Sequence, residues 1–244
     1  MDISFKGKRA LVTGAGRGIG RDIVKRLVKL GATVVALSKT KENLESLKAE
    51  LPEIEIVPCD LANWEETRKA VASLDTIDLL VNNAAYAKLD PIGEVDEQTC
   101  NLHFDINVKS IINVTQEVVK KLKAAGKPGS IVNISSQAGM VALQDHVAYC
   151  ASKGAVDQIT RVSALELGPF NIRCNSVNPT VVETEMGKRG WADPIKRQWM
   201  MERIPLRRFA DIDDVVDAIV YLLSDKSAMI NGVILPIDGG FTAC

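Results

Sequence analysis

The sequence predicts an α/β domain built on a doubly wound, seven-stranded parallel sheet with helices on both faces, and three observations predict it. Short β-branched runs alternate with longer amphipathic segments along all 244 residues. The runs are apolar almost throughout rather than at every second residue, as in strands buried on both faces. The first run leads directly into a glycine-rich turn that opens a helix.

Taken in order, the strand candidates are 9–13, 33–37, 54–57, 77–81, 130–134, 172–177 and 232–235. Each is short and bounded by turn residues or charges, and most are rich in Val, Ile and Leu. The segment after the first strand, 21–30, has helical spacing. So does the stripe Phe104, Val108, Ile111, Ile112, Thr115, Val118, Val119 and Leu122, which predicts one helix over 104–122. Strands joined by helices in this way make right-handed parallel crossovers. No linker, repeat or low-complexity tract interrupts the chain, so 1–244 reads as one domain. The stretch at about 180–205 is poor in strand signal and mixes basic residues with Trp191, Trp199, Met200 and Met201, and it reads as an inserted substrate loop.

Hydrophobic residues make up 46% and charged residues 25%, enough for a sizeable core and too apolar for a disordered chain. Thirty basic residues against 31 acidic ones leave a net charge of -1, which offers no field for nucleic acid or an anionic membrane. The five cysteines are scattered without a C-x-x-C pair, arguing against a disulfide framework or zinc ribbon and for a reducing compartment. With only His103 and His146 in the chain, no metal site is expected. Asn113 and Asn133 each begin an N-x-[ST] triplet but lie in apolar segments that read as core. No apolar leader follows Met1 and no run reaches membrane-spanning length, so the expectation is a soluble, cytoplasmic protein.

The glycine turn is Thr13-Gly14-Ala15-Gly16-Arg17-Gly18-Ile19-Gly20. Glycines let a backbone approach a pyrophosphate, and free amides at a helix start supply donors. The spacing through Gly14, Gly18 and Gly20 is G-x-x-x-G-x-G, since Ile19 stands where a strict G-x-G-x-x-G needs glycine, and no G-K-[ST] follows to make a P-loop. The pattern predicts a Rossmann-type dinucleotide site, the alternative being a merely flexible turn. The second strand ends in Ser38-Lys39-Thr40 and lacks the acid that binds an NAD ribose, so with Arg17 these residues predict NADP(H). The alternative for Lys39 and Lys41 is that they are solvated loop charges.

Tyr149 and Lys153 stand one helical turn apart, where an ammonium lowers a phenol's pKa toward working pH. Ser136, just past the fifth strand, faces the ligand crevice of an open α/β sheet. Together with Thr13 to Gly20, Asn82-Asn83-Ala84-Ala85 and Asn107, these residues make the sequence resemble the short-chain dehydrogenase/reductase family over essentially its whole length. The resemblance implies a catalytic tetrad of Asn107, Ser136, Tyr149 and Lys153, with hydride transfer between a nicotinamide and a carbonyl or alcohol. It implies that Lys153 also binds the nicotinamide ribose and that Asn107 holds a water leading to Lys153. It further implies cofactor contacts from Asn83, Ala84 and Ala85, from Asp60 and Leu61 at the adenine, and from Pro179, Val182 and Thr184 at the carboxamide. Ala85 and Thr180 stand where the family pattern has glycine. A homotetramer is also implied, with 104–122 and the last strand as candidate interfaces.

Within the family, the stretches Asp78 to Ala85, Ala164 to Pro169, Asn178 to Val182 and Gly239 to Cys244 resemble the tetrameric carbonyl reductases that act on small ketoses and α-dicarbonyls. The implied activity is NADPH-dependent reduction of the L-xylulose to xylitol type, with Tyr149 as general acid. Gln137, His146 and Trp191 would join Ser136 and Tyr149 at the substrate, although His146 serves equally well as a loop hydrogen-bonder. Two alternatives stand: a 3-oxoacyl carrier-protein reductase-like enzyme, and an NADP-binding scaffold without turnover.

Overall fold

Runs that are apolar on both faces are satisfied only between two helical layers, and here they form seven strands of one all-parallel sheet in the order β3-β2-β1-β4-β5-β6-β7. The computed structural model describes residues 2–244, apart from the side chains of Met186 and Arg189. The strands are β1 Arg9–Thr13, β2 Thr33–Ser38, β3 Glu55–Pro58, β4 Leu79–Asn82, β5 Gly129–Ile134, β6 Ile172–Pro179 and β7 Ile234–Ile237. The order reverses direction between β1 and β4, the switch point where open α/β sheets bind ligands. The seventh strand starts two residues later than its apolar run, because Gly232 turns the chain at φ +80° before pairing begins.

Helices α1 Gly18–Lys29, α2 Lys41–Glu50, α3 Trp64–Ala72, α4 Glu97–Phe104, α5 Ser110–Ala125, α6 Val147–Leu167, α7 Glu185–Gly190, α8 Pro194–Arg203 and α9 Ile212–Leu223 complete the fold. Successive strand residues point to opposite faces. Val12, Val34, Val81, Val132 and Val177 therefore meet α1, α2 and α9, through Val24, Leu44 and Ile219. Leu11, Val35, Leu80, Ile131 and Cys174 meet α3, α5 and α6, through Val71, Val118 and Leu167.

Two expectations change. The stripe predicted as one helix over 104–122 belongs to two: Asp96 starts α4 earlier by accepting the Thr99 N–H at 2.6 Å, and a π-helical turn, Asp105–Lys109, separates α4 from α5. The predicted loop insertion at 180–205 holds α7 and α8. The Thr184 side chain caps α7 by accepting from Gly187 N at 3.1 Å, and Asp193 caps α8 with Pro194 in its first turn. Trp191, Met200, Ile204 and Phe209 pack this segment into a small core of its own.

A buried polar ladder crosses the sheet below its carboxyl edge. The Asn82 amide donates to Thr115 Oγ1 at 3.1 Å and Asn133 Oδ1 at 2.8 Å, and the Asn133 amide donates to Thr160 Oγ1 at 2.9 Å. Both N-x-[ST] asparagines are buried; Asn113 donates to Trp64 O at 2.7 Å. Among the described residues no helix is long and apolar enough to cross a membrane.

Asn82→Ala would leave Asn133 Oδ1 and Thr115 Oγ1 without this donor. Chemical denaturation should register a loss of about 1–3 kcal/mol, and a loss below about 0.5 kcal/mol would show that the ladder is not a stabilising element.

Candidate active site

Because every strand runs the same way, all seven carboxyl ends open on one edge, and the predicted site residues gather there. Gly14 to Gly20 follow β1; Ser38, Lys39 and Thr40 end β2; Asp60 and Leu61 follow β3; Asn83, Ala84 and Ala85 follow β4. Ser136 and Gln137 follow β5, and Pro179 ends β6, with Val182 and Thr184 just beyond. Tyr149 and Lys153 lie on α6, which His146 caps, and Asn107 lies in the π-helical turn.

The glycine turn is locked to the loop after β4. Thr13 Oγ1 accepts from the Asn83 and Ala84 amides at 3.0 and 3.1 Å, and the Asn83 side chain donates to Thr13 O at 2.9 Å and Gly14 O at 3.1 Å. A Cβ on Gly14, whose φ is +64°, would stand 2.8 Å from Ala84 Cα, and one on Gly20 would stand 2.3 Å from Gly14 O. Neither position tolerates a side chain without displacing backbone. Arg17 precedes α1 in an extended conformation and caps it with no side-chain acceptor, and no acid lies in the first turn. The amides at Gly18, Ile19 and Gly20 thus face an anion-ready end of the helix. Ala85 replaces the family glycine without entering the left-handed region. Thr184 lies across this turn, its Cγ2 3.6 Å from where a Gly18 Cβ would be. Arg21, which the sequence reading passed over, binds Gly16 O and Asn43 O at 3.3 Å and pairs with Glu50, fastening the turn to α2.

At the adenosine end the two predicted groups hold one another. Lys39 Nζ stands 2.7 Å from Asp60 Oδ2. Asp60 raises the ammonium's pKa through a hydrogen bond and its charge. Partial burial pushes the Asp60 carboxyl up, but Lys39 and the Ala62 N–H outweigh it and leave it low. Arg17 is exposed and Ser38 half-buried beside Gly16.

The tetrad residues converge. Ser136 Oγ accepts from Ala138 N at 3.1 Å, and its side chain lies close enough to Tyr149 to pull the phenol's pKa down. Lys153 is 2% exposed, and its Nζ donates to Ile134 O at 2.7 Å. Asn107 is fully buried: Oδ1 accepts from Tyr86 N at 2.7 Å, and Nδ2 donates to Tyr86 O at 2.9 Å and Ser152 Oγ at 3.0 Å. The predicted acidification of Tyr149 by Lys153 is corrected here. Burial pushes the phenol up to about 12, against a small opposing pull from Ser136, while burial brings Lys153 down to about 8 against the charge of Asp157. The ammonium is engaged at the Ile134 carbonyl and lies 5.7 Å from the Tyr149 ring centroid.

Around the tyrosine, His103 and His146 present ring centroids at 6.2 and 6.3 Å. His103, fully buried, carries its proton on Nδ1 facing Thr99 O at 2.8 Å, because Nε2 accepts from Lys88 N at 3.4 Å. A lone histidine carries no motif, so its place beside Tyr149 is not legible in the sequence. His146 bonds Gln144 O through Nδ1, and burial lowers its pKa. Gln137 is 2% exposed, and among the described residues neither its Oε1 nor the buried Thr180 hydroxyl beyond β6 has a hydrogen-bond partner. Thr180 N donates to Ile237 O at 3.0 Å, so threonine at this glycine position continues the strand path regularly. Trp191, expected at the substrate, is 8% exposed, and its indole packs edge-on to Phe209 at 6.1 Å. A cavity of about 250 Å³ lies at the opposite, amino-terminal edge, where Arg173 is held by Leu222 O, Ser224 O and Ser227 Oγ. It is remote from the tetrad.

The family model described as enoyl-(acyl carrier protein) reductase matches residues 14–242. The chain is 52% identical over 243 residues to L-xylulose reductase of Mus musculus, and 46% identical over 243 residues to carbonyl reductase [NADPH] 2 of Sus scrofa, covering 100% of each chain in both cases. A crystal structure of a putative NAD(P)-dependent gluconate 5-dehydrogenase from Beutenbergia cavernae, with bound NADP, superposes with a TM-score of 0.95 at 31% identity, covering 100% of both chains. The fold, the glycine turn locked to Asn83, and these full-length similarities agree: the chain belongs to the short-chain dehydrogenase/reductase family.

Proposed function

We propose that the protein is an NADPH-dependent reductase of small ketoses and α-dicarbonyls, with Asn107, Ser136, Tyr149 and Lys153 as its working residues. The observation that carries this reading is the placing of Ser136, at the carboxyl end of β5, beside the Tyr149 phenol, with Lys153 one turn further along the same helix. The full-length identity to a reductase of L-xylulose supports the ketose, and the NADPH in the name of the porcine relative supports the cofactor.

The residues present fit such a cofactor. The Gly18 to Gly20 amides suit its pyrophosphate, and Arg17 and Ser38 suit a 2′-phosphate. Asp60 competes with that phosphate for Lys39. When bound, the nicotinamide supplies the hydride that reduces the carbonyl carbon. Ser136 orients and polarises the carbonyl oxygen, and Tyr149 gives it a proton. A phenol held at about 12 is fully protonated at neutral pH, the state a general acid needs in the reductive direction. Lys153, at about 8, is mostly charged at pH 7 and holds that charge one turn from the phenolate left behind. Gln137 Oε1, buried and unpartnered, is suited to accept from a substrate hydroxyl. Assembly as a homotetramer in a reducing cytoplasm belongs to the same reading, supported by the exposed apolar Leu165 and Phe170 at the end of α6 and by five free cysteines.

Tyr149→Phe should lower kcat by roughly 10²–10⁴-fold while NADPH affinity, read by fluorescence titration, stays within a few-fold. Retention of most turnover would remove Tyr149 from the acid role. Side-by-side kinetics with L-xylulose, diacetyl and an acetoacetyl thioester should favour the first two, and preference for the thioester would move the assignment to carrier-protein chemistry. Ser38→Asp together with Lys39→Ser should shift the NADPH-to-NADH ratio of kcat/KM toward NADH by about tenfold or more. An unchanged ratio would transfer discrimination to Arg17.

A further inference from the structure

Asp157 stands one helical turn beyond Lys153 on α6, 3% exposed. A carboxylate this far from water needs donors. Asn178, near the end of β6, supplies them: its side-chain Nδ2 lies 3.0 Å from both carboxylate oxygens and donates to Ser136 O at 3.0 Å. The Ser135 hydroxyl donates to Lys153 O at 3.1 Å, and Lys153 Nζ donates to Ile134 O. Three consecutive residues at the end of β5 are thereby fixed to α6, and Asp157 closes the frame. Gly139 shows how tightly it is packed, since a Cβ there would lie 2.8 Å from both Asp157 Oδ2 and Lys153 O.

We propose that Asp157 is a positioning residue for Lys153: its carboxylate, fixed by Asn178, places a buried negative charge one helical turn from the ammonium and holds the Ser136 strand end in register with the Tyr149 helix. The inference rests on the role given to Lys153 above. Burial works against that ammonium, and the Asp157 charge is what opposes it. Burial raises the Asp157 pKa, while the Ser135 and Asn178 side chains and the Arg161 and Lys153 charges draw it back. Other titratable or charged groups lie on the elements packed against α6, Glu97 of α4 among them. His103 and Cys100 lie on α4, and Asp105 and Lys109 of the π-helical turn pair with each other at 2.7 Å. On β6, Arg173 binds the Leu222 carbonyl, and burial raises the Cys174 thiol to about 12. The segment of β5 offers none.

The test is the pH dependence of kcat/KM for L-xylulose at saturating NADPH in Asp157→Asn, with folding checked by thermal unfolding and NADPH titration. Losing the carboxylate charge should move the alkaline limb down by about one pH unit. Turnover should then fall roughly tenfold at pH 8.5 and less than threefold at pH 6.5. A profile superimposable on wild type, or a uniform loss at every pH, overturns the proposal. Asn178→Ala gives a second reading if Asp157→Asn does not fold. It keeps the carboxyl but removes its donor, so Asp157 should protonate at higher pH and the acidic limb should move up; an unmoved limb overturns the proposal. A wild-type protein inert toward ketoses and dicarbonyls would instead sink the reductase assignment, so the two failures are distinguishable.

Discussion

An ammonium group enclosed by protein must find an acceptor, and for Lys153 that acceptor is the carbonyl of Ile134. Much of the site follows from this one bond. It ties α6 to the last residue of β5, which brings Tyr149 beside Ser136. Exclusion of water then acts on the two side chains in opposite senses, since it disfavours the charged form of each. The phenol becomes a weaker acid and the ammonium a stronger one. Their proton affinities are driven apart, so at neutral pH a protonated phenol stands one turn from a charged ammonium.

The parallel sheet was legible because strands buried on both faces cannot conceal their composition, and 9–13 is found as β1 without adjustment. The glycine turn and the Tyr149 to Lys153 spacing were legible because both are local. What was not legible depends on neighbours distant in the chain. Lys39 and Asp60 belong to adjacent strand ends, and nothing near either residue announces their pairing. The sign of the Tyr149 shift is decided by burial, which spacing does not report. The 104–122 stripe concealed a wide turn, because apolar residues on both sides of it are buried against different partners. Asp157 was in view one turn past Lys153, but its meaning comes from Asn178 on another strand.

The segment at 180–205 joins the two halves of the site. Its own small core, with Trp191 inside, makes α7 and α8 a packed unit rather than a loose lid. Thr184 touches the glycine turn side, while Lys196 of α8 is close enough for its charge to depress the His146 pKa. Glu183 and Arg197 pair across the segment. A shift in this unit is therefore felt both at the phosphate end and beside the tyrosine.

The π-helical turn at Asp105–Lys109 rotates everything after it by one extra residue relative to a regular helix. Before it, His103 looks toward Tyr149; after it, Val114 and Val118 look toward the sheet. One nearly continuous rod thus serves two clients that a uniform pitch would leave out of phase, with Asn107 at the junction, its amide reaching both Tyr86 and Ser152. Excising a single residue there would tidy the backbone and misdirect every side chain on one side of the cut.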